Sequence, residues 1–176
     1  VAVLAERGVE VRYVVSGQTH PGVLAHEGER YRDSLVHLVA TLGVDDLVEF
    51  DNCYRDWPSL LAQVRECDIV VLPYDSREQV TSGVLVDALA SGKPIVATAF
   101  PHANDVVDGR CGLVVPHEEP VALADAIERL LTDRPLRNAF SRAAAAEGDL
   151  LAWPVIGEQY LELLRAVGDD LLSLGR

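Results

Sequence analysis

Short apolar runs alternate with longer stretches of helical periodicity along most of this chain. The apolar runs predict buried strands at residues 9–15, 47–50, 68–72 and 112–115, and another that begins at Pro94. Helical spacing predicts helices at 31–42, 57–67, 101–107, 120–131, 135–146 and 154–167, a short helix opening at Ser82-Gly83, and a helix tail over 1–7 that Gly8 ends. This alternation predicts an α/β fold, a doubly wound parallel sheet with extra C-terminal helices packed on it.

Four loops follow the carboxyl ends of the predicted strands, where sheets of this kind bind their ligands. They lie at residues 16–22, 51–56, 74–82 and 99–103. Together they hold most of the unusual side chains of the chain: His20, Tyr54, Arg55, Arg77, Glu78, Gln79, Thr81, Ser82 and His102. We therefore expect a ligand site at this edge of the sheet.

The segment Thr81-Ser82-Gly83 opens a helix directly after one of these loops. Free backbone N–H groups and the positive end of the helix dipole make such a position a seat for an anion. The same residues also suit a plain N-cap, in which a hydroxyl accepts a hydrogen bond from its own helix. Anion binding and N-capping are compatible with each other, and the local sequence does not favour one over the other.

Asp87 is the one charged residue of the short helix, about 7.5 Å along the helix axis from its start. Val84, Leu85, Ala88 and Leu89 flank it, so we expect both lateral faces of the helix to be buried. A carboxylate in such surroundings is costly without a partner. It is either an acid satisfied by a backbone group or an arginine, or a bidentate acceptor for two ligand hydroxyls, such as those of a ribose.

The other polar loop residues give weaker indications. Glu78 and Gln79 lie shortly before Asp87 and are either solvated loop residues or ligand contacts. His20 and His102 each adjoin a proline, which is more typical of a turn residue than of a catalytic one.

Composition and charge narrow the range of partners. The chain has 176 residues, 49% hydrophobic and 24% charged, which is ordinary for one globular domain. Its net charge of −13 argues against nucleic acid or an anionic membrane surface, and requires local donors for any anionic ligand. It has no run of about 18 apolar residues and no basic-then-apolar N-terminal segment, so neither a transmembrane segment nor export is predicted.

Cys53, Cys67 and Cys111 are far apart and form no C-x-x-C pair. They indicate neither a zinc site nor a disulfide framework, and reduced thiols favour a cytoplasmic location. We expect metal independence and no cofactor, since metal-ligand clusters, a glycine-rich dinucleotide fingerprint and a Walker loop are all missing from the sequence. The chain starts at Val1 and contains no methionine, so we expect it to be one half of a longer protein.

Three segments of the chain carry motifs of a known family. Asp87-Ala-Leu-Ala-Ser-Gly-Lys-Pro-Ile-Val is similar to the motif E-A-x-A-x-G-x-P-V-V, Gly112-Leu-Val-Val-Pro to G-x-L-V-P, and Trp153 with the following helix to a closing S-W-x-x-x-A…Y helix. The chain thereby resembles the C-terminal, donor-binding domain of a retaining GT-B glycosyltransferase of the group 1 type. The likeness covers nearly all of the chain. A subgroup with T-H-P and Q-x-x-S-G motifs is closer still, through Thr19-His20-Pro21 and Gln79-Val80-Thr81-Ser82-Gly83.

The resemblance implies roles for particular residues. Asp87 falls at the second glutamate of the family's E-x7-E motif, which holds the ribose hydroxyls of the nucleotide. Gln79 falls at the first, which contacts the transferred sugar. Asp in place of Glu shortens the reach by about 1.3 Å. Gln79 carries no charge, and Glu78 takes its place if the loop shifts by one residue.

The resemblance also assigns the surroundings of these two positions. The segment from Thr81 to Gly83 lies where backbone amides meet the donor phosphates, and Tyr54 lies in the loop that borders the nucleotide base. Arg77 is expected to offset the acidic field of the chain. The expected donor-binding set is Asp87, Gln79, Glu78, Thr81, Ser82, Gly83, Tyr54, His20 and Arg77.

The implied function is the nucleotide-sugar-binding half of a bacterial retaining glycosyltransferase that transfers a hexose to a glycan or small acceptor. The family's diphosphate-clamping arginine and lysine belong to a first strand and loop upstream of Val1, and its N-terminal acceptor domain also lies outside residues 1–176. We therefore expect these residues alone to bind donor weakly, to hold no catalytic residue and to be inactive. Two alternatives stay open: a non-catalytic nucleotide-sugar-binding or partner module, and a sugar-nucleotide epimerase with the GT-B fold.

Overall fold

The chain folds into parallel strands connected by helices, which confirms the expected α/β class. The computed structural model describes the backbone of residues 1–174 and the side chains of residues 1–167. The strands are β1 (Tyr13–Ser16), β2 (Val48–Asp51), β3 (Val70–Leu72), β4 (Ile95–Thr98) and β5 (Gly112–Val115). The helices are α1 (Ala2–Glu6), α2 (Pro21–Glu27), α3 (Arg30–Thr41), α4 (Trp57–Glu66), α5 (Gly83–Ala90), α6 (Pro101–Val106), α7 (Pro120–Thr132), α8 (Arg134–Leu150) and α9 (Trp153–Leu174).

The strands form two separate parallel sheets rather than one continuous sheet. In the first sheet β1 pairs with β2, and Tyr13 lies opposite Val48. In the second sheet β4 lies between β3 and β5, and Ile95 lies opposite both Val70 and Gly112. Helix α4 carries the chain from the first sheet to the second, as parallel strands require a crossover connection. Because the two sheets do not pair with each other, β1 and β3 each keep one unpaired edge.

Strand β4 lies at the centre of the core. All of its residues are buried, because helices cover both faces of the second sheet. On one face, Ile95 and Ala97 pack with the buried residues of α5. On the other face, Val96 packs with Leu130 of α7 and Phe140 of α8. The apolar run that begins at Pro94 is therefore a strand buried on both sides, as its sequence predicts.

Two local predictions are wrong. The first strand begins at Tyr13 instead of residue 9, because its partner strand begins at Val48 and residues 9–12 have no neighbouring strand to pair with. The predicted loop at residues 16–22 is cut short, because a short helix, α2, begins at Pro21. His20 Nδ1 accepts a hydrogen bond from the backbone N–H of Gly22 at 3.1 Å, and Pro21 occupies the first turn.

Helix α5 packs closely against α8. A Cβ atom added to Gly148 of α8 would stand 2.7 Å from the Cα atom of Ala90 in α5, so only glycine permits this approach. Nearby, the hydroxyl of Ser141 donates to the carbonyl of Gly92 at 2.6 Å. Gly92 itself has a φ of 63°, as a helix C-terminus of this type requires. These contacts fix α5 on the sheet, and with it the residues at its start.

We predict that Gly148→Ala destabilises the fold by about 1–3 kcal/mol, because the added methyl group forces the two helices apart. Gly157→Ala is the matched control, since no atom lies within 4 Å of a Cβ at that position of α9. There the exchange should be neutral or stabilise by up to about 1 kcal/mol through helix propensity. Urea denaturation of both variants measures the difference, and equal effects would contradict the close contact.

Candidate functional site

A groove of about 770 Å³ separates the two sheets. Its middle is lined by the facing edges of β1 and β3 and by apolar side chains of the helices beside them: Tyr13, Val14, Leu60, Val64, Val70, Val71, Ile127 and Leu131. Polar residues line it near the carboxyl ends of the strands: Ser16, Gln18, Asp51, Tyr54, Arg55, Gln63 and Asp87. This is the edge at which a parallel α/β sheet binds ligands.

Ser82 caps helix α5 at this edge. Its Oγ accepts a hydrogen bond from the backbone N–H of Leu85 at 3.2 Å and lies 3.2 Å from the hydroxyl of Tyr74. The residue is 4% exposed, so its hydroxyl serves the helix rather than solvent. The amides left without a partner inside the helix are those of Gly83 and Val84, and an anion at this helix start would meet them first.

His102 holds the backbone in front of α5. Its Nδ1 accepts a hydrogen bond from the backbone N–H of Ser82 at 2.9 Å. The sequence indicates only a turn residue beside Pro101, because the partner lies in another element and meets His102 only when β3 and β4 pair. The loop after β3 and the start of α6 are thus joined beside the candidate site.

Asp87 lies on the side of α5 that faces the groove. Its Oδ1 accepts a hydrogen bond from Nε1 of Trp57 at 3.1 Å. The expectation that both lateral faces of α5 are buried is wrong. Leu85 and Leu89 are fully buried, but Val84 is 46% exposed and Asp87 is half-buried, because the groove separates this face of α5 from the first sheet. The partner of Asp87 is an indole, and neither the backbone nor an arginine.

A hydrogen-bond network holds the loop after β2, which carries Tyr54. Nε and Nη2 of Arg55 donate to Oδ2 of Asp51 at 3.1 and 2.5 Å. Gln63 of α4 donates to the same oxygen at 3.3 Å and accepts from the hydroxyl of Ser16 at 2.7 Å. The hydrogen bonds from Arg55 lower the pKa of Asp51. The charge of Arg55 is therefore neutralised within the chain, while Tyr54 stays 84% exposed on the groove rim.

Of the predicted site residues, the groove lining includes Asp87 and Tyr54. Gln79 donates from its side-chain amide to the carbonyl of Thr81 at 3.1 Å, within the exposed loop that also holds Glu78. Arg77 lies 3.9 Å from Glu118, beyond the end of β5.

His20 belongs to a different part of the molecule. Besides capping α2, it lines a separate cavity of about 220 Å³ beneath that helix, together with Tyr31 and Arg32. The sequence places His20 and Asp87 at the same sheet edge, and the structure puts them in different cavities.

Trp57 is the site residue that the sequence does not single out. It opens a predicted helix immediately after the loop that follows β2, and that position at the carboxyl end of a strand is the one signal that points to it.

Neither a metal site nor a membrane-spanning helix is found among the described residues. No group of three or more His, Cys, Asp or Glu side chains there is arranged to hold a metal ion. Within the same part of the chain, no helix combines the length and the apolar character needed to span a bilayer.

Comparison with known proteins identifies the family. Residues 2–133 match the model of the glycosyl transferases of group 1. The chain belongs to this family. A D-inositol 3-phosphate glycosyltransferase from Arthrobacter sp. (strain FB24) is 31% identical over 143 residues, covering 81% of this chain and 33% of that relative. The alpha-D-kanosaminyltransferase of Streptomyces kanamyceticus is 29% identical over 181 residues, which cover 99% of this chain and 43% of that enzyme. The chain thus spans about a third to two fifths of the length of these two relatives.

Solved structures of similar fold agree with the family. Anabaena HepE in complex with UDP superposes with a TM-score of 0.74 at 24% identity, covering 89% of this chain and 41% of HepE. Sucrose-phosphate synthase from Thermosynechococcus elongatus gives a TM-score of 0.79 at 23% identity, covering 96% of this chain and 41% of that protein. These likenesses concern the fold, and they confirm the expected Rossmann-like half of a GT-B fold.

We predict that Ser82→Ala destabilises the protein by about 0.5–2 kcal/mol, because the cap on the backbone N–H of Leu85 is lost. Thr81→Ala removes the neighbouring, exposed hydroxyl and should change stability by less than about 0.5 kcal/mol. Thermal and urea unfolding followed by circular dichroism compare the two variants. If the Thr81 variant were as unstable as the Ser82 variant, the assignment of Ser82 as the N-cap of α5 would be wrong.

Proposed function

We propose that this chain is the nucleotide-sugar-binding half of a retaining glycosyltransferase that transfers a hexose to a glycan or small acceptor. The observation that carries the proposal is the position of Asp87, which faces the groove at the carboxyl ends of the strands and keeps one carboxylate oxygen for a ligand. A ribose with two adjacent hydroxyls suits this acceptor. Tyr54 on the opposite rim offers an exposed ring to the base.

The start of α5 suits the phosphates of the donor. The amides of Gly83 and Val84 follow a cap that already satisfies its own helix, and we assign the donor phosphates to them and to the segment beginning at Thr81. Gln79 and Glu78 are proposed to contact the transferred sugar from the loop in front. The UDP complex of HepE, a protein of similar fold, supports a nucleotide diphosphate as the ligand class.

The charges of the chain favour a second half that supplies cations to the site. A nucleotide diphosphate brings at least two negative charges to a chain whose own net charge is −13. Near the site, Arg55 is neutralised by Asp51, and Arg77 lies beside Glu118 at 3.9 Å and is largely exposed. We therefore propose that the cations that stabilise the departing diphosphate come from outside these residues, together with the acceptor domain. Residues 1–176 alone are expected to be inactive.

The groove between the two sheets supports the proposal that a central strand of the sheet lies outside residues 1–176. The usual doubly wound order is 3-2-1-4-5-6, in which the first strand lies in the middle of the sheet. A strand inserted between β1 and β3 and followed by α1 would complete that order with right-handed crossovers. Helices flank both faces of the second sheet, so we propose that the inserted strand is apolar and lies parallel to β1 and β3.

We predict that Asp87→Asn weakens UDP binding to the full-length protein by about 1–3 kcal/mol, because a charge-assisted hydrogen bond to the ribose becomes a neutral one. Asp105→Asn serves as the matched control, since Asp105 is exposed on α6 outside the groove lining. Isothermal titration calorimetry measures both affinities. Unchanged affinity in a folded Asp87 variant would exclude Asp87 from ribose binding, and a wild type that bound no nucleotide sugar at millimolar concentration would overturn the proposed function.

We predict that the amides of Val14 and Val71 exchange with solvent at least about tenfold more slowly in the full-length protein than in residues 1–176. Backbone groups alternate sides along a strand, and the N–H groups of Gly17 and Val70 already bond within their sheets, so those of Val14 and Val71 point into the groove. Hydrogen exchange with mass spectrometry or NMR measures the rates in both proteins. The amide of Val96, in a strand paired on both sides, is the control. If Val14 and Val71 each exchanged at the same rate in the two proteins, the inserted strand would be excluded.

A further inference from the structure

The hydrogen bond from Trp57 to Asp87 joins α4 to α5 beside the groove. Trp57 opens α4, which belongs with the first sheet through the bond between Gln63 and Ser16, and Asp87 belongs to α5 on the second sheet. On the far side of the chain, Arg7 of α1 forms ion pairs with acidic residues of α7. The indole is thus a polar contact between the proposed ligand acceptor on α5 and the helix that lines the opposite wall of the groove.

Packing does not explain the position of Trp57. The residue is 62% exposed, so little of its apolar surface is removed from water. Its backbone position follows from the start of α4, where the carboxylate of Asp56 accepts from the backbone N–H of Ser59 at 3.1 Å and Pro58 occupies the first turn. What the side chain itself adds to the molecule is a ring beside the groove and one N–H donor.

A single donor leaves the carboxylate of Asp87 available to a ligand. Trp57 Nε1 reaches Oδ1 at 3.1 Å, and no other donor among the described residues bonds to the carboxylate. A carboxylate accepts about four hydrogen bonds, so Oδ2 and part of Oδ1 remain for two hydroxyls. Because an indole donates and never accepts, it fixes the orientation of the carboxylate without competing for the hydrogen atoms of a ligand.

We propose that Trp57 is a positioning residue for ribose recognition, which holds Oδ1 of Asp87 so that the carboxylate presents its free lone pairs to the ribose hydroxyls. The inference rests on the proposed function, in which Asp87 binds the ribose. Trp57 thereby contributes to the preference for a ribonucleotide over a deoxyribonucleotide without touching the diphosphate.

The test compares UDP with 2′-deoxy-UDP in the full-length protein by calorimetry. We expect Trp57→Phe, which keeps a ring and removes the donor, to weaken UDP binding about five- to tenfold. The preference for UDP over 2′-deoxy-UDP should fall by a similar factor. A merely structural role would weaken both nucleotides equally. Trp57→His, which keeps a ring N–H, should recover part of the preference.

Trp153→Phe is the matched control, because Trp153 is the other tryptophan of residues 1–176, is 85% exposed and, unlike Trp57, makes no side-chain hydrogen bond to a described residue. It should leave both affinities unchanged.

The outcomes separate the two proposals. If the wild type binds UDP and Trp57→Phe leaves the nucleotide preference unchanged, Trp57 does not position Asp87 and only this inference fails. If Trp57→Phe binds UDP more tightly, the indole competes with the ligand, which also overturns it. If the wild type binds neither UDP nor any other nucleotide diphosphate or nucleotide sugar, the proposed function itself fails. Melting temperatures of all variants verify that each one is folded.

Discussion

The close packing of α5 on α8 is the constraint on which the candidate site depends. Gly148 lets the backbones of the two helices meet, and Leu85 and Leu89 are buried completely between α5 and the second sheet. An eight-residue helix has little stability of its own, so its position comes from this tertiary contact. Because α5 is held on one side, its other side can face an open groove with a carboxylate and still stay in place.

The groove divides the molecule into a well-covered part and a thinly covered one. Strands β3, β4 and β5 have helices on both faces, whereas β1 alternates between partly buried and exposed residues. Polar contacts compensate in part for this thin cover. Gln63 donates to Asp51 and accepts from Ser16, and these two bonds hold α4 to the first sheet at the end where the candidate site lies. The same polar residues thus stabilise the first sheet and form part of the rim of the groove.

The sequence predicts the class of the fold and most of its elements, because the length of an apolar run and the glycine or proline that ends it are local properties. The strand at β4 and the helix that begins at Gly83 follow directly from such patterns. The division into two sheets does not follow from local patterns. Whether β1 and β3 pair depends on how segments far apart in the sequence are arranged in space. Residues 9–12 have strand-like alternation and still form no strand, because no partner lies beside them.

The candidate site is less predictable than the fold for the same physical reason. Asp87 and the helix start at Ser82 are visible as a lone carboxylate and a capping residue in an apolar stretch. Trp57 is not, because its bond to Asp87 joins residues thirty positions apart and no local pattern records it. The exposure of Val84 is equally hidden, since helical periodicity shows that a face is apolar without showing what covers it.

The bond between Ser82 and His102 limits how this domain can be recombined with its relatives. A graft of the loop at residues 74–82 into another backbone would carry the N–H of Ser82 without its imidazole acceptor. A buried donor left in that state costs about 1–3 kcal/mol and would distort the helix start. The smallest portion that keeps this geometry extends from β3 through α6, so chimaeras with new donor specificity should exchange that whole portion.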